Sequence, residues 1–238
     1  MNIVLFSGGV DSTTLLTAVR AFDRKVMALT VMYGSKHALA ESDASTSIAD
    51  FLGVTHTFVG VPSWVFTGGS SALMGESEIP RSEYSSEGPS PTVVPGRNFV
   101  FASIAAAMCE ARGGGTVYIA VHASDHDKWA YPDCSPEAMG ALASGIFAGS
   151  YNKVRLATPY IWSTKEGLVR VAANIGAPLH LTWSCYRGDP DAGACGECPT
   201  CIERLRAFAF AGYIDPVKYA INPVLTQEQK PFPIPKGD

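Results

Sequence analysis

The chain lacks most of what would send it to a membrane, a secretory route or a nucleic-acid backbone. No apolar run approaches the roughly 20 residues needed to cross a bilayer. The apolar stretch after Met1, Asn2 to Phe6, is too short for the core of a signal peptide. Charged residues make up only 17% of the 238, and 22 Asp and Glu against 18 Lys and Arg leave a net charge of −4. That balance attracts neither nucleic acid nor an anionic surface. No internal repeat is visible. The expected compartment is therefore a reducing cytoplasm, with no nucleic-acid or membrane partner. There, clustered cysteines bind metal or do chemistry more often than they form disulfides.

Two common phosphate loops are also missing. After the first strand-like run the chain reads Ser7-Gly8-Gly9-Val10-Asp11-Ser12. It has no lysine of the G-x-x-x-x-G-K-[ST] kind and no third glycine of the G-x-G-x-x-G kind. What is present is a glycine pair directly between a buried strand and a helix. Its backbone N–H groups and the helix N-terminus converge on one place, which makes an anion site. Asp11 is placed to hold magnesium or to cap the helix.

Short runs rich in β-branched residues, Asn2 to Phe6, Val26 to Met32, His56 to Val61 and Val117 to His122, read as strands separated by helical patterns. Leu15, Leu16, Val19 and Phe22 share one helical face, whereas Phe99 to Cys109 is apolar all round, as in a buried helix. Ser135-Pro136-Glu137 reads as a helix start and Ser163-Thr164-Lys165-Glu166 as a capping box. Strand–helix alternation predicts an α/β fold with a parallel sheet covered by helices on both faces. Residues 62–96, dense in Ser, Gly and Pro, predict a long loop bordering the site. The tail from Asn222 to Asp238 should be extended.

The cysteines carry the second strong signal. Cys185 is followed after nine residues by Cys195-Gly196-Glu197-Cys198-Pro199-Thr200-Cys201. Four thiolates so spaced close a tetrahedral site, and a closed thiolate site for zinc is structural because no position is left for water. An iron–sulfur cluster or a redox disulfide are the competing readings. Cys109, in an apolar helix, reads as core; Cys134 stays open.

The loop resembles the PP-loop of the N-type ATP pyrophosphatases, which cleave ATP between the α- and β-phosphates. Together with the four cysteines, the chain is similar over nearly its whole length to the 7-cyano-7-deazaguanine synthases, the preQ0 synthases of the queuosine pathway. The likeness rests on Ser7 to Thr14, Tyr33-Gly34 with His37, Ser71-Ala72-Leu73, Val94-Pro95-Gly96-Arg97-Asn98, Tyr131-Pro132-Asp133-Cys134, Thr158-Pro159 with Lys165, and Thr182-Trp183-Ser184-Cys185-Tyr186. Ser35 stands where the family usually has glutamine, and Glu41 falls one position later than the usual glutamate. Ala130 and Ser135 replace the flanking glycine and arginine.

The resemblance implies a Rossmann-like sheet of the adenine nucleotide alpha hydrolase kind over residues 1–180. By the same resemblance residues 181–238 would form a small helical zinc-binding region packed on it. It implies an ATP-dependent carbon–nitrogen ligase whose partners are ATP, 7-carboxy-7-deazaguanine and ammonia, with magnesium alongside ATP and one structural zinc per chain. A homodimer is implied too, with the proline tail and the zinc region as interface elements. Phe6, Ser7, Gly8, Gly9, Val10, Asp11, Ser12, Thr13 and Thr14 would bind ATP; Asp11, Ser12, Arg97 and Lys165 would screen charge during reaction. Arg97, Asn98, His122, Asp125, Tyr131 and Asp133 are the substrate candidates. Asp133 is set against the N1–H and N2–H2 donors of a guanine-like base, with helix capping as its other reading. For His122 and His126 a purely structural place is an equal reading. Alternatives are an enzyme that stops at the amide, one that uses another amine, and a tRNA-thiolase-like adenylating enzyme.

Overall fold

A computed structural model describes residues 1–66, 69, 71–81, 83, 90–126, 130–189, 191–221 and 229–235. Five strands, β1 (Ile3–Leu5), β2 (Met27–Met32), β3 (Thr55–Gly60), β4 (Gly115–Tyr118) and β5 (Val154–Ala157), form one parallel sheet in the order β3-β2-β1-β4-β5. Period-two alternation sorts the central strand between two layers. Ile3 and Leu5 meet Ala102, Ala105 and Cys109 of α3 (Arg97–Glu110) and Met139 of α5 (Pro136–Gly149). Val4 and Phe6 meet Leu15, Leu16 and Val19 of α1 (Val10–Phe22) and Ile48 and Leu52 of α2 (Ala38–Leu52). Both faces are thus covered, as the alternating pattern predicts.

Strand β4 lies earlier than the Val117–His122 prediction: past Tyr118 the chain leaves the ladder toward the carboxyl edge, passes the short α4 (Ala123–His126) and enters the site. The sequence reading contained no β5, whose Arg155 interrupts the apolar run. Helix α3 is not buried all round. Its inner face holds Asn98, Ala102, Ala105, Ala106 and Cys109, while Phe99 on the other side is 40% exposed. Small alanines on the inner face and a larger apolar side chain on the outer one hid that asymmetry in the pattern. Ser135 caps α5 by accepting the Ala138 N–H at 3.2 Å, ahead of Pro136. At α6 (Lys165–Ile175) the cap is Thr164, which accepts from Gly167, and not Ser163. Ser163 is committed elsewhere, donating its N–H to Tyr160 and accepting from Ala123.

The C-terminal region packs α7 (Pro199–Ala211) against α6 and ends in a small parallel pair, β6 (Tyr213–Ile214) with β7 (Lys230–Pro231). Of the predicted long loop, residues 67, 68, 70, 82 and 84–89 lie outside the described residues. The described part reaches the site indirectly: Leu73 packs with Tyr33, and Thr92 Oγ1 bonds the Tyr131 hydroxyl at 2.6 Å. Of the predicted tail, residues 222–228 and 236–238 likewise lie outside. Phe232 is buried against Phe208 and Tyr213.

Candidate active site

Ser7 to Ser12 turn from the end of β1 into α1 where the strand order reverses between β1 and β4, the place at which open parallel sheets bind ligands. Gly8 must be glycine there. It has φ of +77°, and a Cβ would stand 2.8 Å from the Ser45 backbone nitrogen of α2. Ser7 Oγ and Ser12 Oγ lie 3.2 Å apart at the helix N-terminus. Phe6, Ser7, Gly9, Val10, Asp11 and Ser12 line a cavity of about 230 Å³. Gly8, Thr13 and Thr14 sit behind that wall; Thr14 Oγ1 donates to the Val10 carbonyl, and both threonines are fully buried.

A charged network forms one end of the cavity. Lys165, the first residue of α6, would oppose that helix's dipole unless anions held it. Its Nζ donates to Asp11 Oδ2 at 3.0 Å and pairs with Glu203 Oε2 at 3.1 Å, with His122 Nε2 at 3.4 Å. His122 is fully buried, and its Nε2 lies 3.6 Å from Asp11 and 3.5 Å from Asp125; its backbone N–H donates to Asp125 Oδ2. Burial alone would raise the Asp11 pKa, but Lys165 and His122 outweigh it and hold the carboxyl well below the usual range. For His122, burial pulls its pKa down and the Asp125 and Asp11 charges push it up, the latter prevailing. Asp11 Oδ1 remains buried without a hydrogen-bond partner.

The other end is aromatic. Tyr33, His37, Phe101, Tyr131 and Tyr186 contribute, with Arg97 and Asn98 from the first turn of α3. Arg97 Nη1 reaches the Tyr33 hydroxyl at 3.4 Å, and no carboxylate among the described residues lies within ion-pair distance of it. Asn98 Nδ2 donates to Cys134 Sγ at 3.1 Å. Burial holds that thiol far above its ordinary pKa, so Cys134 is neutral.

Asp133 does not line the cavity. Its Oδ2 accepts the backbone N–H of Asn98 at 3.0 Å, which ties the 3₁₀ turn Pro132–Cys134 to the start of α3. His122 lies behind the wall, and His126 bonds the Ile161 carbonyl at 3.1 Å. Glu41 and Glu203, absent from the sequence-based candidates, do line the cavity. Glu41 was visible only as a glutamate displaced by one position from the family's usual one, and Glu203 gave no signal because it meets Lys165 across elements far apart in the chain.

Cys185, Cys195, Cys198 and Cys201 bring their sulfurs within 4.8 Å of one another, so the cluster can hold a metal ion. Cys185–Cys198 and Cys195–Cys201 are separated by 3.9 and 4.0 Å. Metal–sulfur bonds of about 2.3 Å around a tetrahedral centre require about 3.8 Å. Gly188 N–H points at Cys185 Sγ at 2.9 Å and Cys198 N–H at Cys195 Sγ at 3.3 Å, donors that steady thiolate ligands. Crowded thiols cannot all ionise unaided: bonds from Cys198 and Cys201 hold Cys185 low, and its bond to Cys185 pushes Cys198 up to about 12. A cation removes that conflict. The cluster adjoins the cavity: Trp183 N–H donates to the Gly8 carbonyl at 3.0 Å, and α7 carries Thr200 and Glu203 to the cavity wall.

A family model described as "Queuosine biosynthesis protein QueC" matches residues 1–212. The 7-cyano-7-deazaguanine synthase of Caldicellulosiruptor bescii is 34% identical over 220 residues, 92% of this chain and 97% of that protein. The enzyme of that name from Thermoplasma volcanium is 37% identical over 227 residues, 93% of this chain and 91% of the relative. For Archaeoglobus fulgidus the values are 37% over 216 residues, 90% and 88%.

Proposed function

The chain belongs to the QueC family of queuosine biosynthesis proteins, and from that premise we propose that it converts 7-carboxy-7-deazaguanine and ammonia to 7-cyano-7-deazaguanine at the expense of ATP. One observation carries the reading beyond the likeness. The phosphate loop with Lys165 at one end, and Arg97 without a carboxylate partner at the other, face a single cavity. An unpaired guanidinium in such a place calls for an anion from outside the chain, and a ligand carboxylate accepts it in bidentate fashion.

The chemistry follows from the leaving groups. A substrate carboxylate oxygen attacks the α-phosphate of ATP, and pyrophosphate leaves into the loop made by Ser7, Gly9 and Ser12. Ammonia adds to the activated carbon, AMP departs and a proton is lost, giving the amide. The amide oxygen then attacks the α-phosphate of a second ATP, releasing pyrophosphate and one N–H proton; AMP leaves with loss of the remaining N–H proton, and the nitrile forms. The chain's own task is to screen negative charge while an anion approaches a triphosphate, and Arg97 and Lys165 supply it. Asp11, with its buried unpartnered Oδ1, and Asp125 would hold the magnesium that accompanies ATP and further neutralises its phosphates. The four cysteines would hold one structural zinc. Asn98 and Tyr131 join Arg97 at the substrate end, while His122 sets Asp11 and Asp125. Asp133 acts on the substrate only through α3. The cytoplasm is the compartment this reading assigns. A homodimer belongs to it as well, supported by the outer side of α3, where Phe99 is 40% exposed.

Mass spectrometry of the product from the carboxylate, ATP, magnesium and ammonium tests the proposal: the nitrile is expected, with AMP and pyrophosphate released. Amide alone would move the assignment to the enzyme that stops at the amide, and absence of substrate-dependent AMP release would overturn it. Lys165→Met should lower kcat about 10²- to 10³-fold. The neutral, buried Cys134 weighs against sulfur transfer, and Cys134→Ala should keep AMP release.

A further inference from the structure

Among the described residues four carboxylates line the cavity: Asp11, Glu41, Asp125 and Glu203. Three are spoken for inside the protein. Asp11 and Glu203 hold Lys165, and Asp125 accepts the His122 N–H. Glu41, in the first turn of α2, is different. Among the described residues its carboxylate has one ion-pair neighbour, His37 Nε2 at 3.6 Å, too long for a hydrogen bond. Burial lowers the His37 pKa, so that ring offers Glu41 little counter-charge. Its side chain is 23% exposed. It lies at the aromatic end, where the Tyr33 hydroxyl feels the charge of both Arg97 and Glu41.

We propose that Glu41 reads the pyrimidine edge of the deazaguanine, accepting its ring N1–H and exocyclic N2–H2 as a parallel pair, while Arg97 meets the carboxylate at the other end of the same flat bicycle. The inference rests on the substrate assignment above. A guanine-type edge offers two adjacent donors in the plane of the ring, which one carboxylate accepts through both oxygens. Tyr33 and Tyr186 give a flat heterocycle aromatic surface to lie against. The adenine edge carries an acceptor at N1, so the same carboxylate repels it. Glu41 therefore keeps the adenine of ATP out of the substrate end, a separation that an enzyme holding two purine-like molecules in one cavity requires.

The test compares wild type, Glu41→Ala and Glu41→Gln on 7-carboxy-7-deazaguanine and on the analogue lacking the 2-amino group, reading AMP release. Wild type should prefer the amino compound by about 10²-fold or more in kcat/KM, because the analogue leaves half of a carboxylate covered by the bound ligand unpaired. Glu41→Ala should lose about 10²-fold on the amino compound, chiefly through KM, and little on the analogue, so that discrimination collapses to within several-fold. KM for ATP, measured at saturating substrate, should stay where it is; a merely structural role would move it with the rest. Should Glu41→Ala melt at the assay temperature, the near-isosteric Glu41→Gln keeps the packing and one acceptor and should lose part of the discrimination. Wild-type failure to release AMP with either compound overturns the substrate assignment and this inference with it. Full discrimination retained by a folded Glu41 variant overturns the role of Glu41 alone.

Discussion

In the sheet, Ile3 and Leu5 turn to one layer and Val4 and Phe6 to the other, and buried hydrocarbon surrounds each. In the region from Thr182 to Tyr219 the interior is organised around Arg204, which is 2% exposed. Its guanidinium donates to both oxygens of Asp215 at 2.7 and 2.9 Å, to Thr182 Oγ1 at 2.7 Å, to Ser184 Oγ at 3.2 Å and to the Leu179 carbonyl at 3.3 Å. Tyr219 adds its hydroxyl to Asp215 at 2.7 Å, and the four thiols stand beside it. Apolar packing is spread over many side chains and has no direction, so it yields gradually. The C-terminal region depends on a few directional contacts and on four clustered thiols that can hold a metal ion, and its failure should be focal.

The sharpest way to separate the two is to remove a metal ligand. Apparent zinc binding energies of about 10–16 kcal/mol act as folding energy where a site is closed. Cys198→Ser should therefore lose the metal in elemental analysis and lose amide protection from about residue 182 onward, with β1, β2 and β4 still protected. A variant that keeps one metal per chain would break the comparison at its root. Next comes Arg204→Met, which leaves the buried Asp215 without its counter-charge and should cost about 3–5 kcal/mol by urea unfolding of the metal-loaded protein. Unchanged metal content in that variant would sharpen the contrast by dividing the ion network from the thiolates.

The smallest expected effect concerns the boundary between the regions. The His122 pKa is raised above its ordinary 6.5, so the stability it contributes is complete below that pH and is lost as pH rises through the raised value. Asp11 runs the other way: its depressed pKa gives stability present above 3.8 and lost only as pH falls through the lowered value. The melting temperature of the nucleotide-free protein should decline from pH 6.5 upward, and His122→Gln should flatten that slope. An equal slope in the variant would remove His122 as the source.

Legibility in sequence followed the range of each interaction. The loop from Ser7 to Ser12, the cysteine spacing, the Ser135 cap and Arg97 after Pro-Gly are short-range features, and the structure contains them where the spacing predicts. Local reasoning also found Asp133 in a rigid turn. It did not give the direction of the carboxylate, because the competing donor, Asn98 N–H, lies 35 residues away. The Lys165–Asp11 pair joins residues 154 apart, and Glu203 arrives from α7 only when the cysteine region has docked. Strand β5 was invisible because it is a four-residue edge strand: Val154 and Leu156 turn to the core, while the exposed Arg155 between them breaks the apolar run.

Cys201 and Glu203 lie two residues apart on the first turns of α7, so the four-cysteine cluster and the counterion of Lys165 are joined through one short helical segment. A thiolate centre that only stabilised its own region could be lost with a melting temperature as the sole symptom. Here its occupancy would set how firmly Lys165 is held, and on the proposed role of that lysine nucleotide activation would fall with metal supply before the sheet itself gave way.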